Sequence, residues 1–200
     1  RADDVLLETL EGPVLEDVDV AADADPDAQT GTLRVSGRAS GGDRLVVTLA
    51  DAGGQTLREE EIPLGACEDP GVAWTGLAVD LWWPNGEGEQ PLYTVTCRLL
   101  DADGSECDCV RRRVGFRHIE WRACDGAPEG ALPWICVVNG RPVFLQGVNW
   151  TPVRPTFADV PAEETVRRVE LYQELGCNTL RIWGGAVLER AAFYDACDER

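Results

Sequence analysis

The chain has 200 residues, 44% of them hydrophobic, which is enough to bury a sizeable core in one large or two small domains. Its formal net charge of −18, from 36 acidic against 18 basic residues, disfavours nucleic acid and anionic membrane surfaces as partners. The hydrophobic content excludes disorder of the chain as a whole, and no apolar run approaches the roughly 20 residues that a spanning helix needs.

All 18 basic residues are arginine, methionine is absent, and the start Arg1-Ala2-Asp3-Asp4 has no signal-peptide pattern. The sequence therefore reads as excised from a longer polypeptide, with its compartment and oligomeric state left open. From residue 14 to residue 114 it consists of short alternating runs broken by turn residues, the pattern of an antiparallel sandwich. Expected strands cover 14–21, 32–39, 44–51, 56–62, 72–81, 92–101 and 106–114. That number over about a hundred residues suits an immunoglobulin-like β-sandwich. Asp51-Ala52-Gly53-Gly54 and Asp101-Ala102-Asp103-Gly104 supply the glycines that hairpin turns use.

Eight cysteines are scattered along the chain and read mainly as small buried apolar residues. Cys107 and Cys109, two apart on a strand, would share a face, but a structural zinc site needs a second pair at suitable spacing; no metal is expected. A three-residue hairpin loop of Ala102, Asp103 and Gly104 would set Cys97 opposite Cys109, leaving a disulfide between them open. His118 reads as a solvated or packed imidazole.

The character changes near Gly115, which divides the chain into a sandwich over 1–115 and a second domain over 116–200. A loop over 122–133 leads to a compact hairpin about Asn139-Gly140. One β-α-β unit follows: a strand over 144–149, a helix over 162–175 and a strand over 178–183. Pro161 near the helix start, Glu163 and Glu164 in its first turn and Gly176 after its end all mark the helix. Its apolar stripe is Ala162, Val166, Val169, Tyr172 and Leu175. A second amphipathic helix begins near Leu188.

In parallel α/β architectures the strand-to-helix loops converge at the carboxyl ends of the strands, and function sits there. Those ends carry Asn149 and Trp150, then Arg181, Trp183, Gly184 and Gly185. An indole can lie against the C–H face of a pyranose, while amide and guanidinium groups hydrogen-bond hydroxyls or carboxylates. The same tryptophans equally suit a core beside ordinary turns. Trp82 and Trp83 read as the end of a sandwich strand, one indole packed inward and the other covering a domain interface.

The run Asn139-Gly140-Arg141-Pro142-Val143-Phe144-Leu145-Gln146-Gly147-Val148-Asn149-Trp150-Thr151-Pro152, the later Gly176-Cys177-Asn178-Thr179-Leu180-Arg181-Ile182-Trp183-Gly184-Gly185 and Phe193-Tyr194-Asp195-Ala196-Cys197-Asp198-Glu199 resemble glycoside hydrolase family 2. Leu-Arg-x-Trp-Gly-Gly within them is similar to the β-mannosidase branch. Leu81-Trp82-Trp83-Pro84-Asn85-Gly86, Gln90-Pro91-Leu92-Tyr93 and Val114-Gly115-Phe116-Arg117 resemble the end of that family's immunoglobulin-like domain, so the likeness spans about 73–200. The resemblance implies the first βα units of an incomplete (β/α)8 TIM barrel after the sandwich. It also implies a galactose-binding-like domain before residue 1 and the rest of the barrel after residue 200.

The implied activity is retaining exo-hydrolysis of terminal β-linked sugars, without a cofactor and with a carbohydrate substrate as partner. Retention uses two carboxyl groups ~5–5.5 Å apart. In the family both are glutamates on later barrel strands, so no catalytic residue is assigned here, and Glu163, Glu164, Glu170, Glu174, Glu189 and Glu199 read as solvated surface charges. The resemblance gives Arg181 the part of the arginine that hydrogen-bonds the nucleophile and makes Asn149 and Trp183 lining of the sugar site, with Trp150 either lining it too or turned into the barrel wall, and with Gly184 and Gly185 allowing close backbone approach there. Ala186 stands where the family has a third glycine, and Val153-Arg154 where it has an acidic residue. Exo-β-glucosaminidase is the nearest alternative specificity, and a non-catalytic carbohydrate-binding module the alternative class.

Overall fold

The computed structural model describes residues 7, 9, 11–185 and 187–200. It divides into two compact units, one within Glu8–Leu81 and Pro91–His118, the other of Trp82–Gln90 with Ile119–Arg200.

The first unit is a seven-stranded antiparallel sandwich. β1 (Val14–Asp25), β2 (Thr30–Ser40) and β5 (Val72–Leu77) form one sheet in the order β1-β2-β5; β3 (Arg44–Ala50), β4 (Thr56–Pro63), β6 (Tyr93–Leu100) and β7 (Glu106–Val114) form the other in the order β4-β3-β6-β7. Period-two alternation sends Leu33, Val35, Val72 and Trp74 inward from one sheet and Leu45, Val47, Leu49, Val95, Cys97 and Leu99 inward from the other. Trp74 is 1% exposed, and its indole N–H donates to Glu60 Oε2 at 2.6 Å, so the largest core side chain leaves no polar group unmatched. β5 ends at Leu77, four residues short of the expectation.

The β6–β7 hairpin corrects the expected cysteine geometry. The turn closes as its residues suggest, with Asp101 N donating to Ser105 O at 3.1 Å and Gly104 at φ +91°. A bulge follows: Leu100 stands opposite Glu106 but Leu99 opposite Asp108, so Cys107 is the extra residue. Cys97 therefore faces Val110, while Cys109 faces Arg98 from the other side of the sheet. All eight cysteines are free.

Burial, with a smaller contribution from Cys109, pushes the Cys97 thiol from its ordinary value of 9.0 up to about 11. The folded state thus holds this proton more tightly than the unfolded chain. Its contribution to stability is full below pH ~9 and is lost as pH rises through about 11. The denaturation midpoint of the sandwich should fall over that window, and Cys97→Ala should make the fall shallower; identical slopes would show that Cys97 plays no part.

In the second unit β8 (Ile119–Arg122), β9 (Ile135–Val138) and β10 (Arg141–Val143) form an antiparallel sheet in the order β10-β9-β8. Asn139 at φ +49° and Gly140 at φ +79° make the two-residue turn that their sequence suggests. Trp82–Gln90 packs here, and not as a sandwich strand end. Trp83 lies against Cys136, Val138 and Val143, with the Arg141 guanidinium 4.1 Å from its ring centroid and 3.0 Å from Glu87. Trp82 donates its indole N–H to Asp198 O at 2.7 Å.

β11 (Gly147–Trp150) and β12 (Thr179–Ile182) pair in parallel, joined through α1 (Ala162–Glu174), and α2 (Ala191–Asp198) follows. α1 ends in a Schellman motif: Gly176 at φ +81° donates to Gln173 O at 2.9 Å and Cys177 N to Tyr172 O at 2.9 Å. Asn85 adds a distant cap, its amide donating to Gln173 O at 3.1 Å and Cys177 O at 3.0 Å. The buried stripe of α1 is shifted from the expected one. Thr165 and Val169 are buried, Val166 and Tyr172 partly so, while Ala162 and Leu175 are exposed. α2 begins three residues later than expected, leaving Leu188 exposed before it. No described helix is long and apolar enough to cross a membrane.

Candidate functional site

The carboxyl ends of β11 and β12 bring the singled-out residues together because the two strands run in register. Gly147 pairs with Thr179, Val148 with Leu180, Asn149 with Arg181 and Trp150 with Ile182. Asn178 pins the entry to this pair: its Oδ1 accepts from Gln146 N at 2.8 Å and its amide donates to Phe144 O at 2.9 Å. Gly147 permits the close approach, since a Cβ there would lie 1.9 Å from Thr179 O.

Alternation then sorts the side chains. Trp150, Leu180 and Ile182 turn toward α1 and α2 and pack with Val169, Phe193 and Ala196. Asn149, Arg181 and Trp183 are all exposed. Arg181 Nη1 donates to Asn149 Oδ1 at 3.0 Å, a register pair converted into a side-chain bond. A guanidinium carries five N–H donors, so this bond leaves most of the Arg181 fork available for an acceptor. Trp183 is 47% exposed, and its backbone N–H donates to Trp150 O at 2.9 Å, extending the pairing by one residue. A Cβ on Gly185 would come within 2.6 Å of the Trp183 ring, so Gly185 lets the indole lie over the turn. Gly184 is exposed, with open space where its Cβ would be, and Ala186 lies outside the described residues.

Trp150 is placed differently from the others. It is 2% exposed, with Phe193 at 4.7 Å and Tyr172 at 6.0 Å between ring centroids. Its indole is committed to the core and presents no open face to a sugar. The buried N–H finds its acceptor on Glu189 Oε1 at 2.8 Å. Glu189 is thus a structural partner and not a solvated charge, a role that sequence spacing does not disclose because the pair is 39 residues apart. A signal for the burial of Trp150 does exist in the sequence. With Asn149 and Arg181 sharing one face, the even positions 150, 180 and 182 fall on the other.

Four other glutamates of the helical region are held by arginines, while Glu163 is exposed. Glu164 pairs with Arg154, Glu170 with Arg167 and Arg200, Glu174 with Arg167, and Glu199 with Arg200. The Arg200 and Arg167 bonds hold the Glu170 carboxyl below its ordinary range, which suits an ion-pair partner better than a proton donor. Arg154 is engaged by Glu164 on the first turn of α1. Among the described residues, no group of three or more His, Cys, Asp or Glu side chains could hold a metal ion.

The chain is similar to β-mannosidase B of Neosartorya fischeri, 31% identical over 98% of this chain and 23% of that protein. It is also similar in structure to the β-D-mannosidase of Dictyoglomus thermophilum, at a TM-score of 0.77 and 26% identity over 96% of this chain and 24% of the other. The β-glucuronidase of Parabacteroides merdae shares the fold at a TM-score of 0.73 and 18% identity, over 94% and 23% of the two chains. The chain spans between 12% and 23% of the length of the curated relatives it matches. A family model described as "Glycosyl hydrolases family 2" matches residues 14–117, just over half of the 200 residues, and with the mannosidase relatives it shows that this chain belongs to glycosyl hydrolase family 2, on its β-mannosidase-like side.

Proposed function

We propose that this chain forms part of a retaining exo-β-glycosidase that removes a terminal β-linked sugar, with a β-mannoside as the preferred substrate. On this reading β11-α1-β12-α2 is the opening of a (β/α)8 barrel, whose catalytic glutamates lie on later strands. The observation that carries it is the Asn149–Arg181 pair with Trp183 beside it, exposed at the carboxyl ends of parallel strands in a chain of this family. Asn149 and Trp183 line the terminal sugar, and Arg181 orients the nucleophilic carboxylate and keeps it ionised. Trp150 supports the site from behind, its backbone carbonyl holding Trp183. The engagement of Glu164, Glu170, Glu174, Glu189 and Glu199 with arginine or indole partners supports assigning the catalytic pair elsewhere.

The test is hydrolysis by the intact protein of matched aryl β-mannosides, β-glucuronides, β-galactosides and β-glucosaminides, with the first-formed anomer read by NMR. The expected result is highest kcat/KM on the β-mannoside and a product that first appears as the β-anomer. First appearance of the α-anomer would overturn retention. Preference for another glycoside would overturn the mannoside assignment, and no turnover on any of them would overturn the enzyme reading.

A further inference from the structure

We infer that Glu189 and Arg190 are positioning residues that clamp the two strand-to-helix loops of the site to each other; this rests on the reading of that site as the sugar site. The loop after β11, 151–161, contains a single 3-10 turn, Phe157–Asp159, and the described residues of the loop after β12, 183–185 and 187–190, form no regular element. Loops of this kind at a strand end need tethers if they are to hold a ligand in one geometry. Two adjacent side chains supply them.

Glu189, on the second loop, accepts the indole N–H of Trp150 at 2.8 Å at the end of the first strand. The acceptor is a carboxylate and the donor residue is 2% exposed, so losing the bond would leave a buried N–H unmatched. Arg190 reaches the other way, into the first loop. Its guanidinium donates to Val160 O at 3.1 Å, Phe157 O at 3.3 Å and Ala158 O at 2.9 Å, gathering three carbonyls at the end of the 3-10 turn, of which Phe157 O also accepts from Val160 N. Its backbone meanwhile caps α2, with Phe193 N donating to Arg190 O at 2.9 Å. One dipeptide therefore ties the end of β11, the first loop and the start of α2 to one another. Asn149 precedes the tethered Trp150, and Trp183 hydrogen-bonds its carbonyl, so the clamp sets the positions of both exposed site residues.

The test uses Glu189→Leu, Glu189→Gln and Arg190→Met in the intact protein. Arg190→Met should raise hydrogen exchange at the Asp159 and Val160 amides, which are bonded to Thr156 O and Phe157 O, by about tenfold or more while the sandwich stays unchanged. Glu189→Leu should lower kcat/KM by about 100-fold, mainly through kcat, the scale associated with misplacing site groups by ~1 Å. Glu189→Gln keeps an oxygen for the indole and should restore most of that loss. Unchanged exchange at 159 and 160 in Arg190→Met would overturn the clamp, as would full activity in Glu189→Leu. Equal loss in the Gln and Leu variants would also overturn it, because a charge-dependent role would then be indicated. Should the Leu variant fail to fold, Glu189→Gln still decides: near-parental activity supports the clamp and a large loss overturns it. If the intact protein hydrolyses no glycoside, the enzyme reading fails while the exchange measurement still decides the clamp.

Discussion

Gly147→Ala should destabilise the α/β unit of the intact protein by about 3 kcal/mol, the upper end of what overpacking costs. The added Cβ would lie 1.9 Å from Thr179 O and 2.8 Å from its carbonyl carbon. Both obstacles are backbone, so no rotamer change relieves them. Relief requires the strands to part, and Gly147 is the residue paired with Thr179 at the start of the parallel ladder. Parting them would also strain the bonds by which Asn178 holds Phe144 and Gln146. Gly184→Ala is the control, since nothing stands within 4 Å of the Cβ position there, and it should change stability by less than about 0.5 kcal/mol. Hydrogen exchange resolved by segment distinguishes the outcomes. Faster exchange confined to residues 144–182 in Gly147→Ala, with the sandwich unchanged, is expected; parental exchange there would show that the strands can separate without loss.

The sandwich was legible because its determinants are local. Alternating apolar residues and turn glycines mark each of β1 to β7, and the structure has seven strands near the expected places. α1 was legible for the same reason, since Pro161 and Gly176 both act within a turn of its ends. What escaped was non-local. The bulge at Cys107 shifts the register of β7 by one residue, and an extra residue in a strand looks like any other in the sequence. β8 escaped because all four of its residues are exposed, so no alternation announces it. Trp82 and Trp83 look like the end of a sandwich strand by composition alone. Their packing against β9, β10 and the end of α2 depends on residues more than 50 positions away. At the candidate site, residue types singled out Asn149, Trp150, Arg181, Trp183 and Gly184 and left the direction of Trp150 open; the structure has Asn149, Arg181, Trp183 and Gly184 exposed and Trp150 buried. A tryptophan at a strand end suits either face, and its alternation with Asn149, which shares a face with Arg181, is what turns it inward.

The pairing of Asn149 with Arg181 also leads to a change with a large expected effect on turnover. On the proposed reading, Arg181→Lys should lower kcat in the intact protein by about 100-fold, within the range for losing a preorganised donor at a reacting centre. The side chain is exposed, so folding stability should move by less than about 0.5 kcal/mol. Lysine keeps the positive charge; what it loses is the planar fork. Arg181 uses Nη1 to hold Asn149 at 3.0 Å, and the geometry of one bond fixes the plane in which the other donors point. An ammonium carries three donors on a freely rotating tip, and it can bond Asn149 without presenting a second donor in any fixed direction. If Arg181 served only as a distant positive charge, lysine would substitute with little loss and kcat would stay within a few-fold of the parent. If it served only to hold Asn149, then Asn149→Ala would reproduce the whole effect and the double substitution would add nothing. The proposed role requires a third pattern: a loss in Arg181→Lys well beyond that in Asn149→Ala, with both proteins melting close to the parent. Measuring kcat and thermal midpoint for the two single variants and the double variant separates the three, and parental turnover in Arg181→Lys would remove Arg181 from the site.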